Sequence, residues 1–333
     1  MIKRRMAIVT GLLVAALAGG AGTAHGAPAA VPLPQLPTIP LPAIPGIPGL
    51  GAPAPDLTKS FAALTASMAK GLPGKVGVAL TPVAGSASTS FGDLTTARAW
   101  STLKVPVAIA VERTGAPGAK AASAAEIKAI EDSDNDAAEK LWSMLGSNRS
   151  AVDAVTGILR DGGDANTRVA SQLDAPPSYP GYSSWALADQ ATFAAHLPCL
   201  TGSQNVLGYM GHVSKQQQWG VAEPKTPGVT SAVKGGWGPA TGNPDNGTAR
   251  GYVIRQLAVI TTPRGQIGVS LAALPRSGSF TDGTRMVTRL GQWVLRNLNS
   301  FPTGVCAAAP AADQTNPSAG ADAPAIQSPP AAQ

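Results

Sequence analysis

The sequence predicts an α+β domain: a mainly antiparallel sheet flanked by helices, with a helical lobe inserted between its early and late strands. Three observations lead there. One β-rich apolar run comes early (KVGVALTPVAG, 75–85), and three come late (GVTSAVKGG, 228–236; GYVIRQLAVITT, 251–262; QIGVSLAAL, 266–274). The last two runs are split by a tight turn holding Pro263 and Gly265, which makes them antiparallel neighbours. The long stretch between early and late strands carries helical periodicity instead.

The elements follow in order. MIKRR and then MAIVTGLLVAALAGG read as the basic start and short apolar run of an export signal. Small residues at Ala24 and Gly26 place cleavage before Ala27, so residues 1–26 are expected to be removed. The apolar run is too short and Gly-rich for a membrane span, and no later segment is expected to cross a bilayer. Residues 27–55 carry a proline every two or three positions, the composition of an extended, disordered spacer. The domain is assigned to 56–302. FAALTASMAKGL (61–72) opens it as a helix ending before Pro73-Gly74. STLKVPVAIAVERTG (101–115) is so apolar that its helix must be buried. Helical patterns follow at 124–131, 135–145, 150–160 and 186–197, and TDGTRMVTRLGQWVLRNL (281–298) closes the domain as an amphipathic helix. Residues 303–333 read as a disordered Ala/Pro-rich tail with almost no large apolar groups to bury.

Charge and cysteines exclude several classes. The formal net charge is +6, of which Lys3, Arg4 and Arg5 leave with the signal. The remaining basic residues are scattered without interleaved aromatics, so no nucleic-acid partner is expected. In an exported chain Cys199 and Cys306 are expected to pair as a disulfide, worth about 4–5 kcal/mol by the chain-entropy model. His196 and His212 have no Asp, Glu or Cys at ligand spacing, and no phosphate loop or dinucleotide fingerprint exists, so neither metal nor cofactor is expected. A Ser-His-Asp triad has no Gly-x-Ser-x-Gly elbow to support it.

Three stretches could carry chemistry. Ser-x-x-Lys occurs twice, at Ser67/Lys70 and Ser101/Lys104. Ser67 fits a surface position of an ordinary helix. Ser101 opens the buried helix, and Lys104 lies one turn on along the same face. Burial pushes a lysine toward its neutral form, which could take a proton from a serine, while the helix N-terminus favours negative charge at Ser101. A capping Ser with an outward-snorkelling Lys accounts for the stretch equally well. In IEDSDNDAAEKLW (130–142), Ser133-Asp134-Asn135 sits at a helix junction, where such residues serve as caps. In SAVKGGWGP (231–239), Lys234 ends a strand, and Gly235-Gly236 let a backbone or ligand come close.

In this order the three motifs resemble those of the penicillin-recognising serine enzymes, which comprise β-lactamases and cell-wall transpeptidases or D,D-peptidases. The chain is most similar to compact secreted class A β-lactamase-like serine hydrolases of actinobacteria. QQQWGV (216–221) and the IEDSDNDAAEKLW junction share that character, and the likeness spans roughly residues 60–300. It implies that Ser101 is acylated, and that Lys104 takes its proton or positions the group that does. It further implies that Ser133 carries a proton to the leaving nitrogen, with Lys234 supplying positive charge near Ser133 and the substrate carboxylate. Asn135 would contact substrate or Lys104. The backbone N–H groups of Ser101 and Trp237, beside Gly236, would form the oxyanion hole.

Two departures bear on activity. The loop expected to carry a water-activating glutamate, NTRVASQLDAPPSYPGYSSW (166–185), has Asp174 as its only acid. Deacylation is therefore expected to be slow. Gly235 stands where the family usually has a Thr or Ser whose hydroxyl binds the substrate carboxylate; a missing contact of that kind leaves about 1–3 kcal/mol unmade. Ser133 follows Ser101 by only 32 residues, so a trimmed helical lobe and an open groove are expected. The expected activity is that of an exported or envelope-associated, monomeric serine hydrolase or acyltransferase acting on a β-lactam, cell-wall peptide or ester. The alternatives are a catalytically degenerate module binding wall peptide, and a structural envelope protein working through its Pro-rich arm. Intact Ser101, Lys104, Ser133 and Lys234 favour the enzyme, because a pure binder has no need of a buried lysine.

Overall fold

The computed structural model describes residues 56–115, 119–223, 225–243 and 246–307, the side chains of 119–121 excepted. The expected signal, linker and most of the tail lie outside the described residues. No described helix is long and apolar enough to cross a membrane.

The sheet is built on three long strands that sequence periodicity anticipates: β5 (Thr230–Gly238), β6 (Val253–Thr262) and β7 (Gly265–Pro275). The β6–β7 hairpin closes at Thr262↔Gly265, where Gly265 takes φ 129°, a value open to glycine. The early strand β1 (Gly74–Pro82) pairs antiparallel with β7, and the short β2 (Thr89–Gly92) edges β1. The order is therefore β2-β1-β7-β6-β5, antiparallel throughout.

Strand β6 shows why the sheet needs cover on both faces. Ile254, Ala258 and Ile260 enter one core, with α1 (Leu57–Ala69) and α8 (Phe280–Arg296). Leu257 and Val259, of opposite parity, enter the core of the helical lobe. In the first core Phe61, Phe91, Trp293 and Phe301 pack ring to ring at 5.0–6.4 Å. Helix α6 (Leu187–His196) lies on the other face of the sheet. It comes so close at Gly268 that a Cβ there would stand 2.2 Å from Ala195 N.

A 3-10 turn (Trp100–Leu103) leads into α2 (Lys104–Thr114), and every residue from Lys104 to Val111 is buried, as its apolar composition requires. Around α2 stand α3 (Ala119–Ile127), a π turn (Lys128–Asp132), α4 (Asn135–Met144), α5 (Asn148–Asp161) and α7 (Gln204–Met210). Ile109, Leu141, Val155, Leu159 and Phe193 form the centre of that lobe.

Four short elements carry no periodic signal: β2, α7, and the three-residue strands β3 (Thr96–Arg98) and β4 (Ser184–Ala186). The last two pair with each other across 85 intervening residues, a contact no local pattern announces. Cys199 and Cys306 form the expected disulfide, with Cα atoms 5.4 Å apart. Residues 303–306, assigned from sequence to the tail, are fastened by that bond and by a Gln266↔Gly304 bridge.

Within the lobe Glu126 of α3 is 1 % exposed, and its carboxyl lies against Glu112 of α2. Burial first, and then the Glu112 charge and hydrogen bond, raise it to about 8. An acid raised in the folded state holds its proton there while the unfolded chain has lost it, so its contribution to stability falls as pH climbs from about 4.5 to about 8. Urea unfolding of Glu126→Gln and wild type should show the variant gaining on the wild type steadily across that window. A difference independent of pH would refute this.

Candidate active site

The turn that carries Ser101 is held from below. Buried Arg255 of β6 donates through Nη1 to the carbonyls of Ala97 (2.7 Å), Arg98 (3.2 Å) and Trp185 (3.2 Å), and through Nη2 to Gln190 Oε1 (2.8 Å). Gln190 Oε1 also accepts from Ser270 Oγ (2.7 Å), while its Nε2 donates to Thr102 Oγ1 (2.9 Å), which itself donates to Ala99 O (2.6 Å). Each step fixes one more residue of the segment 97–102. Complete burial lowers the Arg255 guanidinium to about 9.

Strand β5 lies flat against that turn. A Cβ on Gly236 would stand 2.8 Å from Ala99 O and 3.1 Å from Ser101 N. The close approach expected at Gly236 is thus made by the backbone of Ser101 itself. Gly238 packs under the Trp100 indole, where a Cβ would be 2.4 Å from the ring. Trp100, at φ 47°, turns the chain into the 3-10 segment, and its ring meets Tyr182 edge-on at 5.1 Å. Trp237 is half-buried and packs on Phe280 at 5.5 Å.

The other predicted groups meet around Ser133. Lys104 Nζ donates to Ser133 O (2.6 Å), Asp134 O (2.9 Å) and Asn135 Oδ1 (2.9 Å). Lys234 Nζ contacts Ser133 Oγ (2.9 Å), Gln217 Oε1 (2.6 Å) and Gly235 O (3.0 Å). Ser133 sits at φ 60°, in the left-handed region, where it ends the π turn. Asp134 then caps α4 by accepting from Ala137 N (2.7 Å). The cap of Ser-Asp-Asn is thus made by Asp134, while Ser133 Oγ and Asn135 Oδ1 meet the two lysines. Ser101 is half-buried, and no hydrogen bond from its hydroxyl is seen among the described residues.

Both lysines are displaced from their usual range. Burial lowers Lys104 to about 8 against an opposing pull from Asp134. Complete burial, and then the like charge of Lys104, carries Lys234 well down.

Three participants escaped the sequence reading. Gln217, with no exposed surface, accepts from Lys234 Nζ and Gly235 N (3.0 Å) and donates to Ile130 O (2.9 Å) and Glu131 O (2.7 Å). It ties the Ser133 turn to β5. Trp219 covers Gly235, where a Cβ would stand 2.7 Å from the indole. Arg255 is the third, and a lone cation inside the β-branched run GYVIRQLAVITT is the signal that could have found it.

The loop after α5 approaches the turn through Pro180–Tyr182, with Gly181 against the Trp100 backbone. Its acids are engaged elsewhere. Asp164, fully buried, accepts from Asn166 N and Thr167 N. Asp174 is bound by Arg168 (2.7 Å) and Ser171 N (3.0 Å), which hold it below the usual carboxylate range. His196 ends α6, with Nδ1 2.8 Å from Thr192 O. Among the described residues no three His, Cys, Asp or Glu side chains are grouped to hold a metal.

Gln217→Leu removes one of the acceptors of Lys234 Nζ and the side-chain acceptor of Gly235 N, and a buried donor left unpaired costs about 1–3 kcal/mol. The urea midpoint should fall accordingly with unchanged slope; an unshifted midpoint would show that the cross-link is dispensable.

No protein-family model matches the chain, and no curated protein sequence does. Solved structures do. A β-lactamase from Sphaerobacter thermophilus is 19% identical over 74% of this chain and 100% of its own, with a TM-score of 0.54. A class A β-lactamase from Mycobacterium abscessus is 18% identical over 73% and 99%, at 0.55. The chromosome-encoded β-lactamase of Vibrio parahaemolyticus is 14% identical over 74% and 100%, also at 0.55. With its antiparallel sheet, flanking helices and the motif order Ser-x-x-Lys, Ser-Asp-Asn, Lys-Gly-Gly, the chain has the class A β-lactamase fold, that of the penicillin-recognising serine enzymes.

Proposed function

We propose that the protein is an exported serine hydrolase or acyltransferase that forms an acyl-enzyme on Ser101 with a β-lactam, a cell-wall peptide or an ester. The observation that carries this reading is the joining of Lys104, Ser133, Asn135 and Lys234 in one hydrogen-bonded unit on the face that Lys104 shares with Ser101. Two buried lysines served only by neutral oxygens are costly for stability, and proton transfer is the use that justifies them.

Attack by Ser101 Oγ on a carbonyl would place the developing oxyanion near Ser101 N, beside the backbone at Gly236 and Trp237. The lysine–serine unit would take up the hydroxyl proton and return it to the leaving group. Release of the acyl group needs a second base to activate water. Of the acids of the adjoining loop, Asp174 is bound by Arg168 and Ser171 N, and Asp164 is fully buried with Oδ1 on the Asn166 and Thr167 N–H groups, so the acyl-enzyme is long-lived.

Intact mass after incubation with benzylpenicillin should show one adduct on the wild type that persists for hours, and none on Ser101→Ala. An adduct that disappears as drug is consumed would mean an efficient β-lactamase. An unmodified wild type with both benzylpenicillin and a nitrophenyl ester would refute the acyl-enzyme reading.

A further inference from the structure

The two buried lysines have different hydrogen-bond environments. All three contacts of Lys104 Nζ run to oxygens that only accept: two backbone carbonyls and the Asn135 side-chain oxygen. Asp134 O also accepts from Ala138 N (3.4 Å), but an amine with two N–H groups would still turn its lone pair toward one of the three oxygens, whereas an ammonium presents a proton to each. Lys234 Nζ has only two such contacts, Gln217 Oε1 and Gly235 O. The orientation of Gln217 is fixed independently, because its Nε2 donates to Ile130 O and Glu131 O. The third contact of Lys234 is the Ser133 hydroxyl, which can donate as readily as accept. A neutral Lys234 therefore satisfies every partner, giving two protons and taking one from Ser133.

The charges around the pair agree. Lys104 has Asp134 nearby, which favours its cation, while Lys234 faces the like charge of Lys104. Among the described residues no carboxylate lies within ion-pair distance of Lys234. Two adjacent buried cations repel each other, and the one with fewer obligate acceptors gives up its proton first.

Resting on the acyl-enzyme reading, we infer that Lys234, acting through the Ser133 hydroxyl, is the base for Ser101, and that Lys104 remains an ammonium clamping the Ser133–Asn135 turn. As Ser101 Oγ bonds to the acyl carbon, its proton passes to Ser133 Oγ while the Ser133 proton passes to the Lys234 lone pair. The resulting Lys234 ammonium returns a proton through Ser133 to the leaving atom as its bond to the acyl carbon breaks. One serine–lysine couple thus serves both halves of acylation, and Lys104 is a positioning residue.

The test is side-chain 15N NMR of the 15N-lysine-labelled protein at pH 7, where amine and ammonium nitrogens resonate apart. Either Lys104→Met or Lys234→Met assigns both signals, since these are the two buried lysines among the described residues. The expected result is an amine at Lys234 and an ammonium at Lys104. An ammonium at Lys234 overturns the inference. So does an amine at Lys104, which would require the Asn135 amide to be turned with its NH2 toward the lysine.

The pH profile of adduct formation with benzylpenicillin supplies a second readout. With Lys234 as base the rate changes by less than about threefold between pH 6 and 7, whereas a Lys104 base lowered to about 8 would give a rate rising roughly ninefold over that interval. A chain that forms no adduct sinks the acyl-enzyme reading, and the NMR still decides the lysine assignment. A chain that forms an adduct but carries a neutral Lys104 sinks the assignment alone.

Discussion

The site depends on one constraint: three buried basic side chains, Lys104, Lys234 and Arg255, are met by neutral oxygens and not by carboxylates. Taking an ammonium or guanidinium out of water costs several kcal/mol, and a hydrogen bond to a charged group returns about 1.5–3 kcal/mol. A basic group that keeps its charge therefore needs several acceptors converging on it, and one with fewer gives up its proton. Carbonyls converge where chain segments turn, so the basic groups sit at turns: Lys104 and Lys234 at the Ser133 turn, Arg255 beneath the segment that leads into Ser101.

That demand shapes the neighbouring backbone. For β5 to reach both the Ser133 turn and the Ser101 turn it must lie flat, and side chains at 235, 236 and 238 would prevent it. The absence of a hydroxyl at 235, read from sequence as a lost substrate contact, has a structural counterpart. Trp219 occupies the space such a side chain would need, and Gln217 takes the Gly235 N–H. Packing and a cross-link thus stand where the resemblance implies a carboxylate-binding hydroxyl.

The loop after α5 tells a similar story. Its acids serve the loop's own backbone and Arg168, and its end sets the Tyr182 ring against Trp100 beside the Ser101 turn. On the proposed reading, proton transfer during acylation falls to the lysine–serine unit.

The sequence by itself determined the sheet's long strands, the buried helix α2, the flanking helices and the pairing of Cys199 with Cys306, because periodicity, β-branched runs and cysteine count are local or arithmetic signals. It also named Lys104, Ser133, Asn135 and Lys234, since motif order along the chain survives folding. It could not name Gln217, Gln190, Arg255 or Trp219, whose importance lies in what they touch from 17 to 158 positions away. Nor could it pair β3 with β4, three residues each and far apart in the chain. Above all, the motifs cast Lys104 as the group that takes or directs the proton and Lys234 as a standing positive charge. Only the tertiary structure decides how many obligate acceptors surround each, and that count, set by which backbone turns meet in space, fixes where a proton can rest.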